Sequence, residues 1–320
     1  MLLSNLPSEL IIVISDFLKP RDLNALIQTA RRFANLLSLL LQDRGLTDPK
    51  LEILLWAAAT GNEERIRKLL ARAQHKRIKI PPKIKDSMLM TAVRHKRVDL
   101  LEYLVRTVGA NVSARVPYEL PNSPYPLAAR TALHEAVEQG SKVATRKLIE
   151  LGADVNATDY NGISVLHYAV GILVYAAEEE WDTDEGDVNW TDVLRLLLKH
   201  GARTEVREPD RGQTPLLWAS TDGNTEVISV LLEYGAVINA TDEEGCTALH
   251  LAAASGNHEV VELLVEKGAD MFAISHMADT PLDLSGSPSV WEILTKAGAL
   301  TGPQLGRELE ALLDERRQQR

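Results

Sequence analysis

Apolar residues recur along most of the chain with the spacing of paired amphipathic helices. The segment Gly245–Ala273 shows the pattern best, because a short alanine-rich helix is predicted after Thr247 and the turn at Gly256 separates it from a second helix. The Thr247 hydroxyl is placed to cap the first helix and to meet His250 one turn later. The second helix carries apolar residues at helical intervals, namely Val260, Val261, Leu263 and Leu264. Gly268 is predicted to end it in a left-handed cap.

This pair of helices repeats along the chain. A phrase of the form Thr-Ala-Leu-His, or a variant of it, starts at Thr131, Ser164, Thr214, Thr247 and Thr280. Three of the four intervals between these starts are 33 residues, and the interval from Ser164 to Thr214 is 50 residues, which is 17 more. One repeat therefore carries an insertion of 17 residues. A fixed period of this length predicts a solenoid of stacked units.

Two weaker copies of the helix pair precede the five phrases, at Ile53–Leu70 and Met88–Val112. With them, we predict about seven repeats, which start near residues 52, 87, 131, 164, 214, 247 and 280. The proline-rich loop 113–130 follows the second repeat and reads as an irregular extended arm. The seventh repeat is shortened, which suits the end of a stacked array.

The repeat resembles the ankyrin repeat in its 33-residue period, its Thr-x-Leu-His phrase, the glycine between its helices and the Gly-Ala-Asp that opens its hairpin. The resemblance covers about four-fifths of the chain. It implies an all-α ankyrin-repeat solenoid over residues 47–300, in which helix-turn-helix units alternate with hairpin loops.

The first 46 residues do not fit the repeat and predict three short helices. Asn5 or Ser8 is placed to cap the first helix, Pro20 separates it from the second, and the third starts near Ala30. The segment also contains a characteristic series of apolar and charged residues, namely Leu6, Pro7, Glu9, Leu10, Ile14, Leu18, Asp22, Leu23, Leu26 and the run Arg31, Arg32, Phe33. With these residues at these positions, the segment resembles an F-box.

An F-box followed at once by ankyrin repeats resembles a group of substrate receptors common in filamentous fungi. The resemblance implies that the segment docks on a Skp-type adaptor of a cullin ubiquitin ligase and that the repeats hold an unknown protein target. The residues it assigns to the adaptor are Leu6, Pro7, Leu10, Ile14, Leu18 and Leu23. The alternative is an ankyrin scaffold whose N-terminal helices only cap the first repeat, because the end of a solenoid needs a polar surface. The Leu-Pro opening favours docking, since capping does not require it.

The last twenty residues, 301–320, predict a C-terminal capping helix. Its leucines follow helical spacing among charged residues, at Leu305, Leu309, Leu312 and Leu313. We expect this helix to cover the last repeat.

Composition predicts a folded protein of a reducing compartment. The chain has 320 residues, 45% of them hydrophobic, and its single cysteine, Cys246, has no partner for an internal disulfide. The N-terminal apolar stretch contains Glu9 and is too short to cross a membrane. We therefore expect a cytoplasmic or nuclear protein that does not enter a membrane and is monomeric outside the proposed complex.

The sequence holds no motif that predicts an enzyme, and we expect no catalytic residue, cofactor or metal. His134, His167 and His250 all occupy the fourth position of the repeat phrase, where each is expected to bond the threonine or serine that opens the phrase. The remaining histidines match neither a zinc-protease nor a zinc-deaminase pattern. A phosphate-binding loop of the Gly-x-x-x-x-Gly-Lys type is also missing.

Charge argues against a nucleic-acid partner. The formal net charge is −10, from 35 Lys and Arg against 45 Asp and Glu. Twelve basic residues lie between Glu64 and Arg97, and two interpretations of this run are open, a surface for phosphates or an acidic partner and a solvated face. No aromatic residue interrupts the run, which favours the solvated face. The acidic insertion 172–188 is interpreted as a solvated loop, with Trp181 and Trp190 as candidate anchors for a partner.

The predicted partner surface is the concave face of the first helices together with the hairpin tips. The residue after the fourth phrase position is expected on that face, which gives Trp56, Thr91, Glu135, Tyr168, Trp218 and Leu251. Large aromatic residues at such positions predict binding hot spots, unless they belong to the core. The hairpin tips are predicted to add Tyr160 and an acidic rim, formed by Asp159, Asp242, Glu243 and Glu244 with Asn161, which favours a partner with a basic segment.

Overall fold

The structure, a computed structural model, describes residues 49–75, 79–117, 129–178 and 190–318. The α-helices of this part of the chain are α1 (Pro49–Ala59), α2 (Glu63–His75), α3 (Pro82–Arg94), α4 (Val98–Tyr103), α5 (Ala132–Glu138), α6 (Lys142–Glu150), α7 (Val165–Glu178), α8 (Trp190–Lys199), α9 (Pro215–Asp222), α10 (Thr225–Glu233), α11 (Ala248–Ser255), α12 (His258–Glu266), α13 (Pro288–Lys296) and α14 (Gly302–Gln318). A π-helix, Leu104–Val108, continues α4. The F-box-like segment 1–46 lies outside the described residues.

Helices of the same kind stack on one another from repeat to repeat. The first helices α1, α3, α5, α7, α9 and α11 form one layer, and the second helices pack behind them. Buried apolar side chains from Leu54 to Ala299 form one continuous core between the layers. The described residues form no β-strand, and isolated bridges such as Thr241 to Thr247 occur in the hairpin loops. The fold of the described residues is therefore the helical solenoid that the period predicts.

The sixth repeat has the local structure expected from its sequence. The Thr247 backbone N–H donates to His250 Nδ1 at 3.1 Å, and the Thr247 hydroxyl lies 2.8 Å from the same atom. Gly256 caps α11 with φ of 75°. Gly268 follows α12 with φ of +84°, and the Ala269 N–H closes the helix on the Leu264 carbonyl at 2.9 Å. A left-handed conformation at these two positions explains the glycines.

The seventh repeat keeps the phrase but not its first helix. Residues 281–284 form a turn, and only α13 remains of the helix pair. Asp283 stands where the third, fourth and sixth repeats have histidine, and its carboxylate accepts from the Thr280 hydroxyl at 2.8 Å and from the Gly302 N–H at 2.7 Å. Asp283 thus joins the last phrase to the start of α14. Leu305 of α14 is half-buried, whereas the side chains of Leu309, Leu312 and Leu313 lie outside the described part, so the capping role stays a prediction.

Candidate protein-interaction surface

The phrase histidines tie repeats 3, 4 and 6 to the repeats that follow them. Each ring is buried, with Nδ1 bonded inside its own repeat and Nε2 near a carbonyl of the following hairpin. His167 Nε2 lies 3.1 Å from the Gln213 carbonyl, and His250 Nε2 lies 3.1 Å from that of Asp279. Burial lowers the pKa of His134 to about 4 and also lowers the pKa of the other two rings. These histidines are neutral structural links that hold the first helices in register.

The residues predicted on the concave face occupy equivalent positions on successive first helices. Four of them are half-buried, namely Trp56 on α1, Tyr168 on α7, Trp218 on α9 and Leu251 on α11. Thr91 on α3 is half-buried as well. Each of these side chains is therefore supported by the core on one side and reached by solvent on the other.

Packing against the histidine links fixes the two central aromatic rings. Tyr168 lies edge-on to His134 at 4.9 Å, and its hydroxyl donates to the Asp159 carboxylate at 3.0 Å. Burial and the nearby Asp159 charge raise the pKa of Tyr168 to about 12, so the phenol stays protonated. Trp218 lies edge-on to His167 at 5.0 Å. The surface between repeats 4 and 5 therefore presents rigid aromatic groups.

Trp56 differs from the other aromatic residues because a cation of the same chain already covers it. The Arg65 guanidinium lies 4.6 Å from the centre of the Trp56 ring, which is within cation–π range. A partner would have to displace Arg65 to use that ring. The open part of the row therefore lies over the fourth to sixth repeats.

Glu135, predicted on the concave face, is instead buried in an ion network. Its carboxylate accepts from Arg130 at 2.7 Å, from Gln139 at 3.0 Å and from Arg94 at 3.4 Å. Arg130 also pairs with Glu138 at 2.5 Å. Because Glu135 is only 4% exposed, it stabilises the junction of repeats 2 and 3 and is not open to a partner.

The hairpin tips divide into residues that form the turn and residues that face solvent. Asp242 is 7% exposed, and its carboxylate accepts from the backbone N–H groups of Glu244 at 3.0 Å and Cys246 at 2.8 Å. Asp159 is buried in the same way and accepts from the Ile163 N–H at 2.8 Å. The expectation that these aspartates form an exposed rim was wrong, because they satisfy donors of their own turns.

The tips that do face solvent are Tyr160, which is 75% exposed, and the acidic residues Glu243 and Glu244. Hydrogen bonds between the backbones of successive hairpins hold these tips in line. The Tyr160 N–H donates to the Ala129 carbonyl and the Glu243 N–H to the Arg211 carbonyl, both at 2.9 Å. The acidic rim therefore consists of glutamates.

Several of the basic residues in the run from Arg65 to Arg97 are held by contacts within the chain. Arg67 pairs with Glu63 and lies over the Tyr103 ring at 4.8 Å, and Lys68 pairs with Glu64 at 2.5 Å. Arg97 Nε donates to the Ala59 carbonyl at 3.0 Å and so links the first two repeats. These contacts favour the interpretation of the run as a solvated structural face.

Sequence reasoning missed two features of the surface. Asp222 lies four residues after Trp218, a helical spacing that places both residues on one face of α9. The last hairpin exposes three large apolar side chains, Phe272, Ile274 and Met277. Alignment of the hairpins would have shown this second feature, since Asn156 and Thr158 stand where Phe272 and Ile274 occur.

Among the described residues, no group of three or more His, Cys, Asp or Glu side chains could hold a metal ion. Cys246 is buried, and burial raises the pKa of its thiol to about 11, which removes its reactivity near neutral pH. The helices described between residues 49 and 318 include none with the length and apolar character of a membrane span.

Models of ankyrin repeats match residues 133–173 and 185–274, whereas no F-box domain is detected. Palmitoyltransferase Hip14 of Drosophila melanogaster is 29% identical over 112 residues, which are 35% of this chain and 15% of that protein. Transient receptor potential cation channel subfamily A member 1 of Homo sapiens is 26% identical over 155 residues, which are 48% of this chain and 12% of that protein. The chain thus spans a small part of either relative.

The solved ankyrin repeat domain of Bcl-3 superposes with a TM-score of 0.61 and 28% identity, and the match covers 76% of this chain and 97% of that one. The palmitoyltransferases match only in their ankyrin regions, so the array of repeats is what they share with this chain. The repeat phrase, the stacked helix pairs and these matches agree. The chain carries ankyrin repeats in a helical solenoid, and such repeats indicate a protein–protein interaction module.

Proposed function

We propose that the repeats bind a protein target along the concave face of their first helices, with Tyr168, Trp218 and Leu251 at the centre of the contact. The observation that carries this proposal is the row of half-buried side chains at equivalent positions of α7, α9 and α11. Half-buried aromatic residues with rigid support are enriched among binding hot spots, because little side-chain entropy is lost when a partner covers them.

We further propose that residues 1–46 dock on a Skp-type adaptor, so that the chain acts as a substrate receptor of a cullin ubiquitin ligase. The support for this step is the F-box-like pattern around Leu6, Pro7 and Leu10. The second candidate is a scaffold protein whose N-terminal segment only caps the first repeat, and the missing F-box match favours it. Both candidate functions use the same surface to bind the target, and only the receptor also binds an adaptor.

Target binding is tested by affinity purification and mass spectrometry with the wild-type chain and two tryptophan variants. We expect Trp218→Ala to weaken capture of the target by roughly tenfold or more, since a hot-spot aromatic contributes about 2 kcal/mol. Trp291→Ala is the matched control, because Trp291 is 55% exposed on α13, a second helix outside the concave layer. Normal capture by Trp218→Ala, or loss of capture only because that variant unfolds, would contradict the proposed surface.

Adaptor docking is tested by calorimetry with a purified Skp-type adaptor. We expect binding at micromolar concentrations, and we expect the double variant Leu6→Ala, Pro7→Ala to abolish it without changing the melting temperature of the repeats. No binding by the wild-type chain would leave the scaffold as the function. Binding that survives the double change would show that other residues dock.

A further inference from the structure

Asp222 occupies an electrostatically unfavourable place next to Trp218. It is the last residue of α9, where the negative end of the helix dipole disfavours a carboxylate. The structure gives the carboxylate of Asp222 no hydrogen bond or ion pair within the described part of the chain. Although the residue is exposed, desolvation by surrounding protein raises the pKa of its carboxyl group. A cation beside Asp222 would offset both the unfavourable helix dipole and the desolvation of the carboxylate.

Trp218 offers open hydrogen-bonding and stacking groups beside this carboxylate. Its indole N–H has no acceptor among the residues that the structure describes. On the side of repeat 4, α7 carries Gly171, and a Cβ built there would lie 3.5 Å from the indole ring. Because Gly171 has no side chain, that edge of the ring lies close to the backbone of α7, which supports the indole from the side of repeat 4.

We propose that Trp218 and Asp222 form a receptor for an arginine side chain in an extended segment of the partner. The guanidinium would stack on the indole and pair with the Asp222 carboxylate, while the indole N–H donates to a backbone carbonyl of the segment. This inference rests on the proposed target surface and names the chemistry of the target. Arg65 over Trp56, at 4.6 Å, shows the same cation–indole pairing within this chain.

The charge of the molecule suits such a partner. The formal net charge is −10, and the exposed tips of the hairpins carry Glu243 and Glu244. Negative potential along the edge of the concave face would steer a basic segment towards it. Trp56 cannot serve in the same way while Arg65 covers it, so the receptor lies at the fifth repeat.

The test uses the full chain and a fluorescein-labelled nonapeptide of alternating arginine and glycine. The matched probe replaces arginine by citrulline, which keeps the shape of the side chain and removes its charge. We expect the arginine peptide to bind with a dissociation constant below about 1 mM, measured by fluorescence anisotropy. Asp222→Asn should raise this dissociation constant by about fivefold or more. Glu266→Gln is the control, because it removes one exposed carboxylate on α12 and should change binding by less than about twofold.

Each outcome decides the inference. Equal binding of the citrulline peptide, equal binding by Asp222→Asn, or no binding near 1 mM would overturn it. Asp222→Asn should melt at the wild-type temperature or higher, since it removes a carboxylate from a helix C-terminus, so loss of fold does not confuse the result. A target whose capture needs Trp218 but not Asp222 would leave the proposed surface intact and reject only the arginine receptor.

Discussion

At the scale of single residues, the phrase histidine works only as a neutral ring. The Thr131 hydroxyl lies 2.8 Å from His134 Nδ1, while Nε2 faces the Ile163 carbonyl of the next repeat at 3.4 Å. A carbonyl only accepts hydrogen bonds, so Nε2 carries the proton and Nδ1 accepts from threonine. Protonation of Nδ1 would remove that acceptor inside a buried site, where a charge is costly.

Stability should therefore fall on mild acidification. The pKa of His134 is about 4 in the folded chain against an ordinary value of 6.5, so the unfolded chain binds the proton more strongly. The contribution of the neutral His134 ring to the free energy of unfolding is complete above pH 6.5 and is lost as the pH falls towards 4. At pH 5 this ring alone lowers the free energy of unfolding by about 2 kcal/mol. Urea unfolding at pH 7.5 and pH 5 measures this difference in the free energy of unfolding.

His258→Gln is the control for this acid effect, because His258 is exposed and lies outside the phrase. This variant should show the same loss of stability between the two pH values as the wild-type chain. A chain that is equally stable at pH 7.5 and pH 5 would contradict the role assigned to the three phrase histidines.

Ala278 holds backbone strain that glycine would release. Its φ is +67°, a left-handed conformation that costs an L-residue roughly 1 kcal/mol or more. Equivalent hairpin positions carry glycine, and at Gly162 a Cβ would lie 2.5 Å from Pro209 of the next hairpin. We expect Ala278→Gly to stabilise the chain by about 0.5–1 kcal/mol in urea unfolding.

Gly162→Ala is the opposite change and should destabilise the chain, because it adds both strain and a clash with Pro209. If Ala278→Gly lowered the free energy of unfolding, the strain at Ala278 would have to be balanced by contacts of its methyl group.

At the scale of elements, the second repeat contains one residue more than its helix pair needs. The Ala110 N–H bonds to the Leu104 carbonyl at 3.0 Å, six residues back, whereas in the sixth repeat the Ala269 N–H bonds to the Leu264 carbonyl five residues back. The extra residue is taken up by the π-helix, Leu104–Val108. Leu104 and Gly109 therefore keep the places that Leu264 and Gly268 have in the sixth repeat, so the repeats stack in the usual register.

Deletion of Val108 should therefore be tolerated. It would turn the end of the second repeat into Leu-Val-Arg-Thr-Gly-Ala, which has the length found in the sixth repeat. We expect the free energy of unfolding to change by less than about 2 kcal/mol, because regular helical bonds offset the lost burial of one valine. Deletion of Lys267, which follows the regular α12 and precedes Gly268 as Val108 precedes Gly109, should cost about 3 kcal/mol or more. Equal costs would mean that the π-helix is not an inserted residue.

The sequence predicts those elements whose residues act locally. Thr247, His250 and Gly268 do what their spacing indicates, because a cap and a helix end depend on neighbours within five residues. Asp242 was misjudged, since its burial depends on how the turn folds over it. Glu135 was misjudged for another reason, because its main partner, Arg130, comes from the end of the proline-rich loop 113–130, which lies outside the repeat period.

At the scale of the whole molecule, the array is continuous across its inserted segment. His167 on α7 bonds to the Gln213 carbonyl of repeat 5, and Lys142 of α6 pairs with Asp192 of α8 at 2.5 Å, so both contacts join the two sides of the insertion. Fully buried leucines from both sides belong to one core. In a solenoid each repeat is stabilised chiefly by its direct neighbours, so this interface needs no covalent connection through the insertion.

Cleavage inside the insertion should therefore leave both parts of the chain associated. From the run of acidic residues in the sequence, we expect limited proteolysis to cut first between Glu178 and Asp187. After the cut, α7 still packs against α8 and α9, and α6 still packs against α8, so the fragments should elute together from a native size-exclusion column and separate in urea. Fragments that separate at micromolar concentration without denaturant would show that the packing of α7 on α8 and α9 depends on the covalent link. An earlier cut between Gly245 and Gly268 would contradict the repeat assignment, since that segment contains a buried helix pair closed by hydrogen-bonded caps.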